Sequence, residues 1–499
     1  MRKVQSTFVA RTVTLLAITL LTLACSTNPA TGKREFNMVP EGQEIAIGQQ
    51  SHPEILKQFG VYDEKPELNR LVDRVGKQLA SQSERPNLPW TFTVLDSPMV
   101  NAMALPGGYI YITRGMLERI NSEDELAGVL GHEIAHVTAR HAAQQMSRAQ
   151  LAQFGMLIGA VVAGPEVLQQ YGQLAELGLG LLFQRYSRAQ ESQADLFGTN
   201  YIAKAQFNPI GAERMLMTLM RLDKNPSGGI DRYFQSHPDP AKRVRDVHAR
   251  VTELTGMASG ASFEQPDRDA YVRLLDGVIT ANSTEQMVIK DDAIYDRAHG
   301  LVIRTPGGWT ATTSPGALFV MHPRGRDAGS SYLVAQEIDL DQLQGRTVED
   351  AVRLRLQQMG LQYAGARQAS ARNGQNFTVD VWQGQTQGGP VGVETTQMRH
   401  GDHVAVFIFV SPSVSNRNSP LGTLLRNMDI SASRARAVEP PRIHIGTVRN
   451  GESWSDLARR ATGNANDAEA VANLNGFDLK TPPTSGLMVK LPEDVAREE

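Results

Sequence analysis

Two histidines four positions apart are the residues with the clearest potential for chemistry. His132 and His136 enclose Glu133 in the sequence His-Glu-Ile-Ala-His. Residues four apart on a helix share a face, so both imidazoles can reach one cation, and neutral imidazoles suit zinc. The intervening carboxylate can take a proton from a water that the cation activates. The motif therefore predicts a hydrolytic zinc site, with a surface helix that carries these residues by chance as the alternative.

A second pair of residues supplies the third metal ligand, which this motif lacks. Glu191 and Asp195 again lie four positions apart, and Glu191 would be the third protein ligand. Three protein ligands leave one coordination position open, as in catalytic zinc sites. Asp195 would accept the remaining ring N–H of a ligand histidine and fix its tautomer. In isolation, the same pair would be interpreted as a solvated helix face.

The zinc motif is predicted to lie on a packed helix rather than on a loop. Ser122 followed by Glu125 fits a capping box, which marks the start of a helix. Apolar contacts would then hold this helix in the core. The residues predicted to make them are Leu126, Val129, Leu130 and Ile134.

A small β structure is predicted before the zinc helix. Residues 90–95 alternate like a half-buried strand, and residues 109–112 are predicted to be its antiparallel neighbour. Gly107-Gly108 would allow a sharp reversal between Asn101-Ala102 and residues 109–112. If an edge strand lies beside the zinc, an extended substrate could pair with it, and the alternative is a purely structural hairpin. The predicted substrate-binding residues are Asn101, Ala102 and Met103.

The combination of these motifs resembles a known family. Together with Ser236-His237-Pro238-Asp239-Pro240 and Arg243, they are similar to the gluzincin-type zinc metallopeptidases that include HtpX, the CAAX prenyl proteases and the BepA-type proteins. The resemblance covers about residues 41–255. It implies a mainly α-helical, zincin-like peptidase domain with a small β-sheet and one Zn²⁺ per chain.

The same resemblance places His237 and Arg243 over the metal, where two roles compete. As a neutral fourth ligand, His237 would hold the enzyme latent. As a donor beside Arg243, it would stabilise the oxyanion of the tetrahedral intermediate. We favour the latch for His237 and the oxyanion role for Arg243. An ordinary loop histidine is the third interpretation.

The N-terminus predicts an exported protein. Residues 1–24 combine positive charges with a short apolar run, which is typical of a signal peptide and too short to span a bilayer. Cys25 follows directly and resembles the lipidated residue of a bacterial lipobox, which implies a lipid anchor on the periplasmic face of the outer membrane. A soluble periplasmic protein is the alternative. Residues 25–40 would form a tether.

Composition narrows the class of protein further. The chain of 499 residues has a net charge of -3 and a pI near 6.4, so no nucleic-acid partner is expected. Cys25 is the only cysteine, and therefore no disulfide is available.

Residues 151–183 are apolar and rich in Gly and Ala. They predict a helical hairpin that covers the site and touches lipid or substrate, or else a simple core hairpin.

The C-terminal half predicts two further domains. Residues 267–437 are expected to form an α+β domain of unknown role. Residues 442–493 resemble a βααβ LysM module, which implies binding to peptidoglycan, and a module kept only for packing is the alternative. The secondary structure predicted for the α+β domain comprises strands at 301–303, 318–320, 332–335, 377–379 and 403–408, and helices at 348–359 and 421–428.

These features predict a membrane-anchored, periplasmic zinc endopeptidase that acts on misfolded or stalled envelope proteins. Zinc would polarise the scissile carbonyl, and Glu133 would pass a proton to the leaving amine. Two alternatives stay open. One is a chaperone or assembly adaptor for outer-membrane proteins with incidental proteolysis. The other is a peptidase that cuts peptidoglycan crosslinks.

Overall fold

The computed structural model describes most of the chain beyond the N-terminal region. The predicted signal peptide, residues 1–24, and the predicted apolar hairpin, residues 151–183, lie outside the described residues. Among the helices that are described, none combines the length and apolarity needed to cross a membrane. The described residues are 25–150, 186–223, 237–238, 240–257, 268–280, 283–314, 317–324, 331–343, 345–371, 374–386, 389–400, 403–412 and 419–493.

The described residues form two compact units. The first lies within Met1–Leu95, Val100–Leu274 and Asn473–Asp478, and the second within Asp96–Met99, Leu275–Ala472 and Leu479–Glu499. The principal boundary therefore follows Leu274 rather than residue 267. Tyr271 explains part of this shift, because its buried hydroxyl donates to the carbonyl oxygen of Leu117 at 2.8 Å.

The first unit is mainly helical. Helix α2 (Pro66–Ala80) begins with a proline, which suits a helix start because its missing N–H would have no partner there. A further helical segment occupies residues 141–150. The other helices are α1 (Glu41–Phe59), α2 (Pro66–Ala80), α3 (Arg114–Arg119), α4 (Glu123–Thr138), α5 (Arg188–Lys204), α6 (Ile210–Asp223), α7 (Pro240–Met257) and α8 (Arg268–Leu274).

Helix α4 is the buried centre of this unit. Its N-terminus is capped by Ser122, whose Oγ accepts a hydrogen bond from the backbone N–H of Glu125 at 3.2 Å. The Glu125 carboxylate accepts from the backbone N–H of Asn121 at 2.9 Å. In the predicted capping box, the Glu125 carboxylate would accept from the backbone N–H of Ser122. It accepts instead from the N–H of Asn121, one residue earlier. Every residue from Asp124 to Thr138 is buried, which holds the zinc motif inside the packed helices.

Glycines allow α4 and α5 to touch through their backbones. A Cβ atom added at Gly198 would lie 2.8 Å from the carbonyl carbon of Gly131, closer than real Cβ contacts. A Cβ atom at Gly131 would in turn lie 3.1 Å from the carbonyl oxygen of Gly198. No side chain can separate the helices at this crossing. The crossing therefore fixes how closely Glu191 on α5 approaches the histidines of α4.

A three-stranded sheet precedes α4, and it corrects one prediction. The chain enters through β3 (Thr91–Leu95), crosses to the edge strand β4 (Ala102–Leu105) and returns between them as β5 (Tyr109–Thr113). Because β5 pairs antiparallel with β4, it runs parallel to β3, so the predicted antiparallel pairing is wrong. The predicted reversal at Gly107-Gly108 is confirmed, with φ of 86° and 101°.

Residues 25–39 also differ from the expected tether. Strands β1 (Cys25–Thr27) and β2 (Arg34–Phe36) form an antiparallel hairpin. The side chain of Asn28 donates to the backbone carbonyl of Ala139 at 2.9 Å, just beyond the end of α4. The backbone N–H of Met38 donates to Ser147 Oγ at 2.8 Å. This segment is therefore packed against the rest of the first unit, because these hydrogen bonds hold it there.

The second unit is rich in sheet. Its strands are β6 (Met287–Lys290), β7 (Ala293–Asp296), β8 (Leu301–Arg304), β9 (Trp309–Ser314), β10 (Ala317–Pro323), β11 (Tyr332–Asp339), β12 (Gln362–Ser370), β13 (Asn376–Thr386), β14 (Gly389–His400), β15 (His403–Ser411) and β16 (Met428–Ile430). The largest sheet is antiparallel, in the order β12-β13-β14-β15-β11-β10-β9, and a second has the order β16-β8-β7-β6. All the predicted strands fall within observed ones. The exposed edge strand β12 was not predicted, because it has few apolar residues.

Helices and a final strand pair complete this unit. Helix α9 (Val348–Gln358) and helix α10 (Pro420–Arg426) correspond to the two predicted helices. Strands β17 (Ile443–Thr447) and β18 (Met488–Pro492) pair antiparallel and enclose further helices. Binding of glycan by this βααβ segment stays a prediction. The remaining helices are α11 (Ala432–Arg436), α12 (Trp454–Thr462) and α13 (Ala468–Leu474).

The glycine crossing yields the first prediction. Gly198→Ala should destabilise the metal-free protein by about 1–3 kcal/mol, because an added methyl overpacks two helix backbones. It should also weaken zinc binding, since Glu191 would move away from α4. Gly42→Ala, in an open part of α1 with no atom within 4 Å of an added Cβ, is the matched control and should be neutral or slightly stabilising. Chemical denaturation and zinc titration would measure both effects. Equal behaviour of the two variants would contradict the prediction.

Candidate metal centre and active site

Four side chains converge in the first unit. His132 and His136 come from α4, Glu191 comes from the first turn of α5, and His237 comes from the segment just before α7. One nitrogen or oxygen of each lies within 4.8 Å of those of the others, and all four residues are buried. The i, i+4 spacing of the histidines thus places both rings on the face of α4 that meets α5.

The spacing of these atoms fits a tetrahedral metal site. Four ligands about 2.0–2.1 Å from a zinc ion would lie roughly 3.3 Å from one another. His132 Nε2 and His136 Nε2 are 3.0 Å apart, and Glu191 Oε1 lies 3.3 Å from His136 Nε2. His237 Nδ1 lies 3.2 Å from His132 Nε2 and 3.1 Å from Glu191 Oε1. The donor set of imidazoles and one carboxylate suits zinc.

Glu133 lies beside this cluster without belonging to it. Its side chain is buried, and among the described residues its Oε1 atom has no hydrogen-bond partner. His237 Nε2 lies 3.8 Å away from that oxygen. Burial raises the pKa of Glu133 by disfavouring its charged form. A buried carboxylate with a free acceptor atom is suited to hold and deprotonate a water molecule.

Asp195 and Arg243 form the layer behind the ligands. Asp195 Oδ1 lies 3.0 Å from His132 Nδ1, a distance at which a carboxylate can fix the tautomer of a ligand histidine. The guanidinium of Arg243 binds both Asp195 oxygens at 2.8 Å and lies 3.0 Å from Glu191 Oε2. These contacts favour a positioning role for Arg243 over the predicted oxyanion role.

The charge of Arg243 compensates for the burial of these carboxylates. Burial disfavours the charged form of Asp195, but the charge and hydrogen bonds of Arg243 outweigh it and lower the pKa to about 2. Burial likewise opposes ionisation of Glu191, yet the charges of His237 and Arg243 lower its pKa well below the usual range. Both carboxylates are therefore ionised at neutral pH.

Three further residues, which the sequence did not indicate, contact His136 either directly or through His141. The ring of Tyr186 stacks on His136 with centroids 3.9 Å apart. His141 Nδ1 lies 2.9 Å from His136 Nδ1, and its Nε2 lies 2.7 Å from Gln193 Oε1. A histidine five positions beyond His136 would lie on another face of a continuous helix. Only the turn that ends α4 brings His141 back to the site.

A cavity of about 440 Å³ opens beside the cluster. Tyr186, which stacks on His136, and Pro238, which follows His237, form part of its wall. Strand β4 approaches the site from another direction, and its residues Ala104 and Leu105 line a small cavity together with His136. The predicted substrate-binding residues Asn101, Ala102 and Met103 are buried at the start of β4. Cys25 lies in β1.

Comparison with known proteins agrees with this geometry. Residues 66–251 match the sequence profile of peptidase family M48. This segment is an M48 metallopeptidase domain. The match includes all four clustered residues, together with Glu133, and confirms the resemblance inferred from the sequence motifs.

Curated relatives extend the comparison. The chain is 30% identical over 230 residues to the mitochondrial metalloendopeptidase OMA1 of Schizosaccharomyces pombe, which covers 45% of this chain and 66% of that protein. It is 24% identical over 247 residues to the beta-barrel assembly-enhancing protease of Escherichia coli K12, which covers 48% of this chain and 50% of that protein. The metalloprotease YcaL of Escherichia coli K12 is 25% identical over 206 residues, which cover 41% of this chain and 79% of that protein. The chain thus spans only part of the length of these relatives.

The pairing of Arg243 with buried carboxylates gives the second prediction. Arg243→Met should destabilise the metal-free protein by about 3–5 kcal/mol, because Asp195 and Glu191 would be left buried without their cation. Lys242→Met, its neighbour on α7, removes exposed contacts with Asp246 and Ser192 and should cost less than about 1 kcal/mol. Urea denaturation of both variants would test this difference. Similar costs would show that Arg243 is not needed for charge compensation.

Proposed function

We propose that the whole chain is a zinc-dependent endopeptidase that cleaves misfolded or stalled proteins of the bacterial cell envelope. The observation that carries this proposal is the cluster of His132, His136, Glu191 and His237 beside the buried carboxylate of Glu133. The comparison with relatives supports the proposal, since one of them is named a beta-barrel assembly-enhancing protease. The fit of the donor atoms to a tetrahedral ion supports zinc as the metal.

In this proposal, each residue around the cluster has a distinct task. His132, His136 and Glu191 would hold the zinc ion. When bound, zinc would supply a Lewis acid that polarises the scissile carbonyl and lowers the pKa of water to about 7. Glu133 would accept a proton from that water and deliver it to the leaving amine, for which its burial and raised pKa are favourable.

Asp195 and Arg243 would position the ligands rather than touch the substrate. Asp195 would accept the Nδ1 proton of His132 and so direct its Nε2 atom into the site. Arg243 would keep Asp195 and Glu191 ionised inside the protein, because it bonds to both. The metal ligands would then have the right protonation state before any substrate arrives.

Substrate recognition is proposed to use main-chain contacts. Strand β4 is an edge of its three-stranded sheet, and its residues Ala104 and Leu105 line a cavity together with His136. An extended peptide that added a strand at Asn101, Ala102 and Met103 would bring its backbone alongside the site. Such pairing makes little demand on sequence, which suits an enzyme that acts on unfolded proteins of many kinds.

His237 is proposed to act as a latch in the resting enzyme. Its Nδ1 atom lies at ligand-like distances from His132 and Glu191, where it would complete a four-coordinate site. Pro238 follows immediately and restricts the backbone that presents the ring. A four-coordinate ion has no place for the attacking water, and therefore the resting enzyme would be inactive until His237 moves away.

The location of the enzyme is proposed from the remaining sequence features. Lipidation at Cys25 would anchor the chain at the periplasmic face of the outer membrane. The strand, helix, helix, strand order of residues 443–492 supports a LysM-like module that would bind peptidoglycan. These two attachments would hold the peptidase between membrane and cell wall, where unassembled envelope proteins accumulate.

The third prediction tests the proposed chemistry. Glu133→Gln should keep zinc bound but lose nearly all cleavage of unfolded casein, because an amide cannot accept the proton. Glu123→Gln, also on α4 but in a surface pair with Arg74, should retain wild-type cleavage. Zinc content and peptide release would be measured for both.

Parallel incubation with purified peptidoglycan separates the proposed substrate from the alternative one. Cleavage of casein alone supports the protein substrate, whereas release of crosslink peptides alone would assign the site to cell-wall hydrolysis. Wild-type casein cleavage by Glu133→Gln would reject the mechanism. Binding of unfolded protein without any cleavage by the wild-type enzyme would favour a chaperone or adaptor.

The fourth prediction concerns the latch. His237→Ala should raise basal cleavage of casein while zinc remains bound, because three ligands stay and the fourth position opens. His248→Ala is the control, since His248 lies on α7 with an exposed ring that pairs with Glu213. A fall in turnover on the order of a hundredfold would instead assign His237 to oxyanion stabilisation. No change would return it to an ordinary loop residue.

A further inference from the structure

We infer that His141 is a positioning residue that fixes the tautomer and orientation of the metal ligand His136, with Gln193 completing the relay. This inference rests on the proposed zinc peptidase function and adds a structural requirement to it. His141 does not belong to the four-residue cluster, and its ring is fully buried. It contacts His136, whose Nδ1 atom has no carboxylate partner among the described residues.

The distances define a continuous chain of polar contacts. His136 directs Nε2 towards the cluster, 3.3 Å from Glu191 Oε1. On the opposite side of the same ring, Nδ1 lies 2.9 Å from His141 Nδ1. His141 Nε2 then lies 2.7 Å from Gln193 Oε1. His136 Nδ1 and both ring nitrogens of His141 therefore each have a defined partner.

Only one arrangement of protons satisfies this chain when His136 binds a metal. Coordination uses the lone pair of His136 Nε2, so the ring proton lies on its Nδ1 atom. His136 then donates to His141 Nδ1, which accepts. His141 carries its own proton on Nε2 and donates it to Gln193 Oε1. The amide oxygen of Gln193 thus stabilises the required tautomer of His141, and His141 in turn stabilises the tautomer of His136 that can bind a metal through Nε2.

The two ligand histidines are consequently oriented by groups of different charge. His132 bonds to the carboxylate of Asp195, whose charge Arg243 compensates. A second carboxylate behind His136 would add a buried negative charge beside Glu133 and Glu191. A neutral imidazole supplies the acceptor without adding charge, which avoids a further desolvation cost.

The backbone between the two helices is built to bring His141 to this place. Arg140 has φ of 58°, in the left-handed region that non-glycine residues rarely adopt. Its side chain holds the turn, with Nε bonded to Glu44 Oε1 at 2.6 Å and Nη2 bonded to the carbonyl of Val39 at 2.5 Å. The buried ion pair offsets the backbone strain. The turn ends α4 and returns the chain so that His141 faces His136.

The competing explanation is that His141 merely fills space in the core. Two substitutions distinguish these roles. In His141→Leu, the new side chain has a similar size, but it is apolar and cannot accept a hydrogen bond. His141→Asn retains an acceptor, because its Oδ1 atom can take the place of Nδ1. A packing role favours Leu over the smaller Asn, whereas a positioning role favours Asn.

Zinc affinity of the full-length protein, measured by competition with a chelating dye, provides the readout. His141→Leu should bind zinc about 10–100-fold more weakly than wild type, the usual loss for a partner of a metal ligand. His141→Asn should restore most of that affinity. Gln193→Leu should give a smaller loss, since His141 would keep its contact with His136. Thermal unfolding of the metal-free variants reports any general loss of packing.

Wild-type affinity in His141→Leu would overturn the inference, as would equal losses in the Leu and Asn variants. A weakened affinity that follows the loss of apo-protein stability would equally assign His141 to packing. These outcomes are separate from failure of the proposed function. If the wild-type protein binds zinc but cleaves no protein, the peptidase proposal fails while the affinity series still tests His141.

Discussion

The carboxylate of Glu191 imposes the main constraint on the first unit. A charged group taken out of water is costly unless opposite charges and hydrogen-bond donors surround it. The structure brings such groups from two directions, with His132 and His136 on α4 and Arg243 on α7. The packing of α4, α5 and α7 is therefore also the arrangement that offsets the free-energy cost of burying this carboxylate. The metal-binding cluster and the core share the same set of contacts.

Backbone packing converts this requirement into a defined geometry. The contact between Gly131 and Gly198 leaves no side chain whose rotation could change the distance between α4 and α5. Glu191 lies two turns before Gly198 on α5, and His132 follows Gly131 directly. The close approach of the glycines thus lies next to the ligands that depend on it. A metal site needs supporting elements of this rigidity, because small displacements of a ligand reduce affinity and activity.

The sequence was most informative where residue spacing and chemistry coincide. The histidines of α4 and the carboxylates of α5 were assigned because i, i+4 spacing determines which face of a helix they share. The parallel pairing of β3 with β5 was mispredicted, because strand order depends on a crossover that alternation does not encode. His141 was missed because its position depends on the left-handed turn at Arg140. Helical periodicity cannot anticipate such a turn, since it rests on contacts with distant residues such as Glu44.

The N-terminal hairpin has a consequence for the order of folding. Asn28 bonds to a carbonyl 111 residues later in the chain, and Met38 bonds to a side chain 109 residues later. His132 and His237 are themselves separated by 105 residues. Contacts of such high contact order form slowly, because long loops must close before any of them is made. The N-terminal segment therefore cannot pack until the middle of the domain is available. The metal-binding cluster can form only after most of the domain has been synthesised.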